Sequence, residues 1–108
     1  MSIILWKEIH EIANKVCKHF RLKYNAILPE TRKQVRFYGE CVQTPKGKNI
    51  YIRIHQLGRP RRPLAASTIL DTLAHELAHL RHWGHDKKHK ELHKQILVFI
   101  RELGYSEV

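Results

Sequence analysis

The segment His75-Glu76-Leu77-Ala78-His79, followed six residues later by His85, decides the fold and the chemistry expected of this chain. On a helix, His75 and His79 lie one turn apart on the same face, so both imidazoles can bind one metal ion. Glu76 lies about 100° round the helix from His75, where it can reach a metal-bound water without binding the metal itself. The motif predicts a zinc site in which Glu76 is the general base.

The third ligand requires the chain to turn. A straight helix would place His85 roughly 15 Å from His75 along the axis, whereas zinc binds imidazole nitrogens at about 2.0–2.1 Å. We expect the turn at Trp83-Gly84, with Gly84 in the left-handed conformation that ends many helices. The alternative is one unbroken helix with a solvated polar stripe, which would carry Gly84 at a cost of about 1 kcal/mol relative to Ala. That stripe would comprise His75, His79, His82, Asp86, His89 and His93.

Length and composition limit the architecture to one domain over residues 1–108. The 20 Lys and Arg residues outnumber the 10 Asp and Glu residues, and the formal charge of +10 favours acidic partners such as nucleic acid. Cys17 and Cys41 form no CxxC pair, so we expect two reduced thiols. The N-terminal apolar run is too short for a signal peptide or a membrane span, which predicts a cytoplasmic protein that does not associate with membranes.

The hydrophobic pattern predicts an α+β fold with an N-terminal helix, a small sheet, the HExxH helix and a C-terminal helix. Helical spacing runs from about Ile3 to Leu22. Alternation from Gln34 to Gln43 and from Ile50 to Ile54, separated by a Pro- and Gly-containing turn, predicts a hairpin, which a short strand from Tyr24 to Leu28 could join. The sheet therefore has two or three strands.

The second half of the chain predicts a loop and two helices. Gly58 to Pro63 contains two prolines and three arginines and should be an exposed basic loop. Thr68 with Asp71 resembles a capping box that starts the motif helix, which we expect to continue through His82. A last helix should run from about Asp86 to Leu103 and stop at Gly104.

The motif His75-Glu76-x-x-His79-x5-His85 after a hairpin is similar to that of the small soluble zincins, namely the SprT-like and WLM-type metallopeptidases and the minigluzincins. Thr72 to His79 resembles their active-site helix, and Gly39-Glu40-Cys41 with Ile50 to Ile54 resembles their strand pair. The resemblance implies a minimal zincin-like domain that hydrolyses peptide bonds in a peptide or protein substrate with Zn²⁺. It assigns His75, His79 and His85 as ligands and Glu76 as the catalytic base.

His89 departs from this pattern. SprT-like and WLM-type proteins commonly have an aromatic residue four positions after the last ligand, where this chain has His89. His89 is therefore an alternative third ligand, or a residue that supports the ligands. The residue that stabilises the oxyanion stays open among His82, His89 and Tyr105.

Two other functions fit parts of the sequence. The histidine spacing of this chain also resembles that of the YbeY family of zinc-dependent RNA-processing hydrolases. That family has His-Gly-x-x-His at this place, without an acidic base, so Glu76 favours a peptidase. A non-catalytic, basic nucleic-acid-binding domain with zinc is the third alternative. Arg59, Arg61 and Arg62 are the expected nucleic-acid contacts, either in such a domain or in a peptidase recruited to DNA-bound or acidic protein substrates, as the SprT-like resemblance implies.

The C-terminal tail, residues 104–108, carries a separate expectation. The resemblance to minigluzincins implies a latent enzyme in which this segment blocks the cleft. A carboxylate of Glu107 or Val108 would then occupy the open zinc position, within one molecule or from a neighbour in a homo-oligomer.

Overall fold

The computed structural model describes residues 4–31, 38–56 and 59–105 and has the predicted α+β class. Its helices are α1 (Trp6–Phe20), α2 (Ala66–Ala78) and α3 (Lys87–Glu102). Its strands are β1 (Ala26–Pro29), β2 (Gly39–Thr44), β3 (Gly47–Ile52), β4 (His55–Gln56) and β5 (Arg59–Pro63). None of these helices combines the length and the apolar character that a membrane span requires.

The main sheet has three strands in the order β1-β3-β2. The central strand β3 pairs antiparallel with β2, with Gly39 opposite Ile52 and Thr44 opposite Gly47, so the predicted hairpin is confirmed. It pairs in parallel with β1, which confirms the short strand expected near Tyr24 to Leu28. Within the described part of the chain, β2 is therefore an edge strand.

One hydrophobic core joins the sheet to all three helices. Helix α2 lies in the middle of this core and contacts α1, α3, β2 and β3. Because β3 is the central strand, its inward side chains are enclosed between strands on both sides and α2. The large fully buried aliphatic side chains are Ile9, Ile12 and Val16 of α1, Ile50 and Ile52 of β3, Ile69, Leu70, Leu73 and Leu77 of α2, and Ile96 and Ile100 of α3.

Helix α1 is shorter than the expected stretch from Ile3 to Leu22. It begins after Leu5, whose backbone N–H donates to the Glu8 carboxylate, and it ends at Phe20 because Arg21 takes the left-handed conformation with φ 58°. The predicted stop of the last helix is confirmed, since Gly104, which follows the C-cap residue Leu103 of α3, has a positive φ of 108°.

The capping box predicted for Thr68 and Asp71 is wrong. Helix α2 begins at Ala66, and its N-cap residue, Ala65, offers no side-chain hydrogen bond. Leu64 and Ala66 are buried in the core, so burial of these apolar residues fixes the start of the helix, and the capping preference of Thr68 is overridden.

The basic stretch is also different from the expected loop. Its residues form β5, which pairs antiparallel with β4 in a separate two-stranded sheet. Proline is compatible with this strand because each strand of a two-stranded sheet has an edge that needs no ladder hydrogen bonds. Arg62 is exposed. The side chains of Arg59 and Arg61, and residues 34–37 of the expected strand from Gln34 to Gln43, lie outside what the structure describes.

The central strand gives a direct test of this core. Ile50→Ala should lower the free energy of unfolding by about 2–5 kcal/mol, because the fully buried side chain leaves a cavity between the sheet and α2. Val98→Ala is the matched control on the exposed side of α3 and should change it by less than about 0.5 kcal/mol. Denaturant unfolding in the presence of a chelator measures both, and equal effects would contradict the described core.

Candidate metal centre

The HExxH segment lies at the end of α2 and faces a cleft beside the edge strand β2. His75, Glu76 and His79 line a cavity of about 340 Å³ together with Gly39, Glu40, Cys41, Trp83 and His85. Helix α2 supplies the motif and β2 supplies the opposite wall. The cleft therefore brings the predicted ligands and the predicted base together on one side of the sheet edge.

The chain leaves α2 directly after the motif. The backbone N–H of His79 donates to the Glu76 carbonyl at 3.1 Å, and that of Leu80 donates to Leu77 at 3.1 Å, which is the tighter pattern of a closing turn. Lys48 of β3 donates from Nζ to the carbonyls of His79 and Leu80 at 3.3 and 3.2 Å. A cation at the C-terminal end of a helix is favourable, so Lys48 stabilises the end of α2 beside the site.

The turn is therefore earlier than expected, and the predicted role of Gly84 is wrong. Gly84 is not in the left-handed region, and a Cβ at this position would meet no atom within 4 Å. The backbone hydrogen bonds after His79 have already redirected the chain, so a left-handed residue is not needed here. The next helix is fixed by Asp86, whose carboxylate accepts from the His89 backbone N–H at 3.0 Å.

The turn brings His85 back to the helix. The Nε2 atoms of His75 and His79 lie 3.2 Å apart, and the Nε2 atom of His85 lies 3.2 Å from the first and 3.0 Å from the second. Nitrogen ligands about 2.0–2.1 Å from a tetrahedral zinc lie roughly 3.3–3.4 Å apart. The three nitrogens thus form a triangle of almost the size that zinc requires, and the residues present fit the metal.

The protonation of this cluster also suits a cation. Nδ1 of His79 lies 3.1 Å from the His82 carbonyl, which can only accept, so the proton is on Nδ1 and the lone pair is on Nε2. Burial, followed by the neighbouring imidazoles, lowers the pKa of His75 to about 4. Burial likewise lowers the pKa of His79. These rings are therefore neutral at pH 7, which is the form that binds metals.

Glu76 is nearly fully buried beside the ligands. Burial, and then the charge of Glu40, raises the pKa of its carboxyl to about 7. A carboxylate in such surroundings accepts a proton more readily than one in water, as a general base must. Gly39 makes room for it, because a Cβ there would lie 3.1 Å from Glu76 Oε2 and 2.5 Å from Thr72 Cγ2.

His89 lies behind the ligand triangle. It is 1% exposed, its Nε2 lies 3.0 Å from the His75 carbonyl, and its ring stacks on that of His79 at 4.1 Å between centroids. A ring nitrogen of His89 also lies within 4.8 Å of nitrogens of His75 and His79, which makes it a candidate ligand by distance alone. The triangle with His85 is tighter and the Nε2 atom of His89 is engaged by a carbonyl, so the geometry favours His85.

The remaining candidates for oxyanion stabilisation lie elsewhere. The His82 backbone carbonyl contacts Nδ1 of His79. Tyr105 packs against the core. Burial, and then the charges of Glu8 and Glu11 of α1, raises the pKa of its hydroxyl. His89 is enclosed, so its side chain does not line the cavity.

Four residues that the sequence suggested only in other roles, Asp71, His93, Trp83 and Cys41, also lie near the site. His93 pairs with Asp71 at 3.0 Å, and its ring lies 5.4 Å from that of His75. The sequence contained a signal for this placement. Asp71 is four residues before His75 on α2, and His93 is four residues after His89 on α3, so each lies on the same helix face as a residue of the site. Trp83 is 55% exposed at the cavity, and Cys41 is a free thiol whose pKa burial raises to about 11.

Comparisons with known proteins agree with the observed fold. The model of the WLM domain matches residues 9–106. The crystal structure of Wss1 from Saccharomyces cerevisiae is similar with a TM-score of 0.76 at 23% identity, over 91% of this chain and 77% of that one. A mutant of Wss1 from the same organism gives 0.72 at 23% identity, over 92% and 80%. These likenesses confirm the predicted fold. No protein of curated function matches the chain in sequence.

The contact at Gly39 gives a testable prediction. Gly39→Ala should lower the free energy of unfolding by about 1–3 kcal/mol, because the added methyl overlaps Thr72 and presses on Glu76. Thr72→Ser removes the nearest methyl and should recover part of this loss in the double variant. Gly84→Ala is the control and should be close to neutral. Additive effects of Gly39→Ala and Thr72→Ser would show that the two side chains do not meet.

Proposed function

This chain belongs to the WLM domain family, which is of the zinc metallopeptidase type, and on that premise we propose that it hydrolyses peptide bonds. His75, His79 and His85 bind the zinc ion, and Glu76 is the general base. One observation carries the proposal: three imidazole Nε2 atoms 3.0–3.2 Å apart lie beside a buried carboxyl group in an open cleft. This arrangement has the ligand set of a catalytic zinc site rather than a structural one, which usually has four protein ligands.

His75, His79 and His85 would hold the zinc ion, which would supply Lewis-acid chemistry by lowering the pKa of water towards about 7 and polarising the substrate carbonyl. The protein supplies the proton transfers. Glu76 takes a proton from the attacking water and passes it to the amine that leaves, so its raised pKa serves both halves of the reaction. The lowered pKa values keep the imidazoles of His75 and His79 neutral, and the contact of His79 Nδ1 with the His82 carbonyl leaves the lone pair of His79 on Nε2.

The substrate is best accommodated along the edge strand. Gly39, Glu40 and Cys41 of β2 line the cavity opposite the motif, and the ladder of β2 to β3 leaves the other side of β2 available within the described residues. A peptide added there as a strand would have its main chain paired by β2 and one of its carbonyls beside Glu76. The absence of a side chain at Gly39 lets the Glu76 side chain lie close against β2, beside the strand that the peptide would join.

The alternatives are less well supported. The WLM match and the acidic Glu76 favour a peptidase over a YbeY-type RNA-processing hydrolase. Nucleic acid remains a proposed partner, supported by exposed lysines on the first turns of α3 and by exposed Arg62. Those lysines are Lys87, Lys88, Lys90 and Lys94. Contacts through Arg59 and Arg61 stay a prediction, as does the cytoplasmic location.

Zinc binding and turnover can be separated by substitution. The purified chain should bind one zinc ion, and His75→Ala or His85→Ala should lose it. Each variant keeps only two of the three imidazole ligands, and two imidazoles bind zinc poorly. Glu76→Gln should keep the zinc and lose peptide cleavage by at least about a hundredfold, the scale of a positioned general base. Metal analysis and cleavage of a labelled unfolded protein measure the two properties.

The matched control is His55→Ala, which removes an exposed histidine of β4 and should change neither property. Zinc retained in His85→Ala at the level of the unaltered chain would contradict the ligand assignment. Cleavage unaffected by Glu76→Gln would contradict the peptidase mechanism.

Latency stays a separate proposal that concerns the tail. Residues 106–108 lie outside the described structure, and Tyr105 packs on the core near the end of α3. If the tail blocks the cleft, a chain that stops at Gly104 should cleave peptides faster than the intact chain at equal zinc content. Equal rates would remove the inhibitory role, and rates that depend on protein concentration only for the intact chain would indicate inhibition by a neighbouring molecule.

A further inference from the structure

Helix α2 changes its hydrogen bonding exactly at the metal motif. The His79 backbone N–H donates to the Glu76 carbonyl, three residues back, at 3.1 Å. The His75 carbonyl, four residues back, accepts from the side chain of His89 on α3, at 3.0 Å. A side chain from the next helix has thus joined the backbone hydrogen bonding of the helix that carries two of the proposed ligands.

We infer that His89 is a positioning residue of the zinc site, which holds His75 through its backbone carbonyl and His79 through ring stacking. This inference rests on the proposed function, since it concerns how the same three ligands are held. It also resolves the two roles that the sequence left open for His89 in favour of support.

The ring contacts of His89 carry the second half of the inference. Its imidazole stacks on His79 at 4.1 Å with an interplanar angle of 26°, and it meets His75 edge to face at 4.6 Å. It also lies 5.4 Å from the ring of His85. One side chain therefore contacts the rings of the two helical ligands and lies beside the third, on the side away from the cavity.

The hydrogen bond defines the chemical form of His89. A carbonyl oxygen only accepts, so the 3.0 Å contact requires a proton on Nε2. That nitrogen has no lone pair to offer a metal while it donates. Its backbone N–H is fixed at the same time by Asp86, the residue that follows His85. His89 thereby links the start of α3, the turn that carries His85 and the end of α2.

Because His89 contacts two proposed ligands, we expect its replacement to weaken zinc binding strongly, although it does not bind the metal itself. Groups that orient metal-binding imidazoles typically change metal affinity 10–100-fold when they are replaced. His89→Phe keeps an aromatic ring against His79 and removes the donor. His89→Gln keeps an N–H donor of similar reach and removes the ring.

The experiment measures zinc affinity by competition with a chelator, and the visible spectrum of the protein loaded with Co²⁺ as a probe of ligand geometry. We expect His89→Phe to bind zinc 10–100-fold more weakly than the unaltered chain and to shift the Co²⁺ bands. His89→Gln should bind more tightly than His89→Phe, because the His75 carbonyl keeps a donor. Near-ultraviolet circular dichroism of the metal-free proteins checks that each variant is folded.

Each other outcome overturns the inference. Zinc affinity and Co²⁺ bands of His89→Phe equal to those of the unaltered chain would reduce His89 to a packing residue. Loss of zinc in both His89 variants, with zinc retained in His85→Ala, would make His89 the third ligand. Failure of the unaltered chain to bind zinc would instead defeat the proposed function, and His89 would then have no site to support.

A nuclear magnetic resonance measurement separates these failures further, because it needs no metal. Long-range correlation of the imidazole protons and nitrogens in the metal-free chain should show the His89 proton on Nε2, exchanging slowly with water. A proton on Nδ1 alone would show that the hydrogen bond to His75 does not form.

Discussion

Three imidazole nitrogens can meet at one point in this chain only if the backbone turns between His79 and His85. At the end of α2 the backbone hydrogen bonds reach three residues back instead of four, which tightens the turn. Lys48 of β3 also donates to the carbonyls of His79 and Leu80. Asp86 then starts α3 in the position that returns His85 to the motif. The candidate metal centre therefore depends on how two helices are joined more than on either helix alone.

Burial and hydrogen bonds to backbone carbonyls limit the electrostatic repulsion between the clustered histidines. Five histidine rings are clustered around the end of α2, and charged imidazoles so close together would repel one another strongly. Burial lowers the pKa of His75, His79 and His89 and so keeps these rings neutral. Backbone carbonyls accept hydrogen bonds from the ring N–H groups of His79 and His89 that do not face the cleft. A set of neutral rings with assigned protons is the state that a divalent cation needs.

Much of this arrangement follows from the sequence because helical spacing is local. His75 and His79 share a face at any helix position, and the pattern of Leu92, Ile96 and Ile100 fixes the buried side of α3. The hairpin and the α+β class followed in the same way, from alternation interrupted by turn residues.

What the sequence could not supply depends on tertiary contacts. Gly84 was expected to make the turn because glycine favours left-handed backbone, yet hydrogen bonds after His79 and the distant Lys48 make it. Burial of Ala66 overrides the capping preference of Thr68. The proline-containing segment predicted as a loop forms the strand β5 because it pairs with β4. His89 could be named as a candidate, but only the packing of α3 on α2 shows its nitrogen at the His75 carbonyl.

Anomalous diffraction at the zinc absorption edge, from a crystal of the zinc-loaded chain, tests the central claim most directly. The account predicts one strong peak within about 2.0–2.1 Å of Nε2 of His75, His79 and His85, with Nε2 of His89 still at the His75 carbonyl. A peak bound by His89 in place of His85, or no peak at the end of α2, would contradict it.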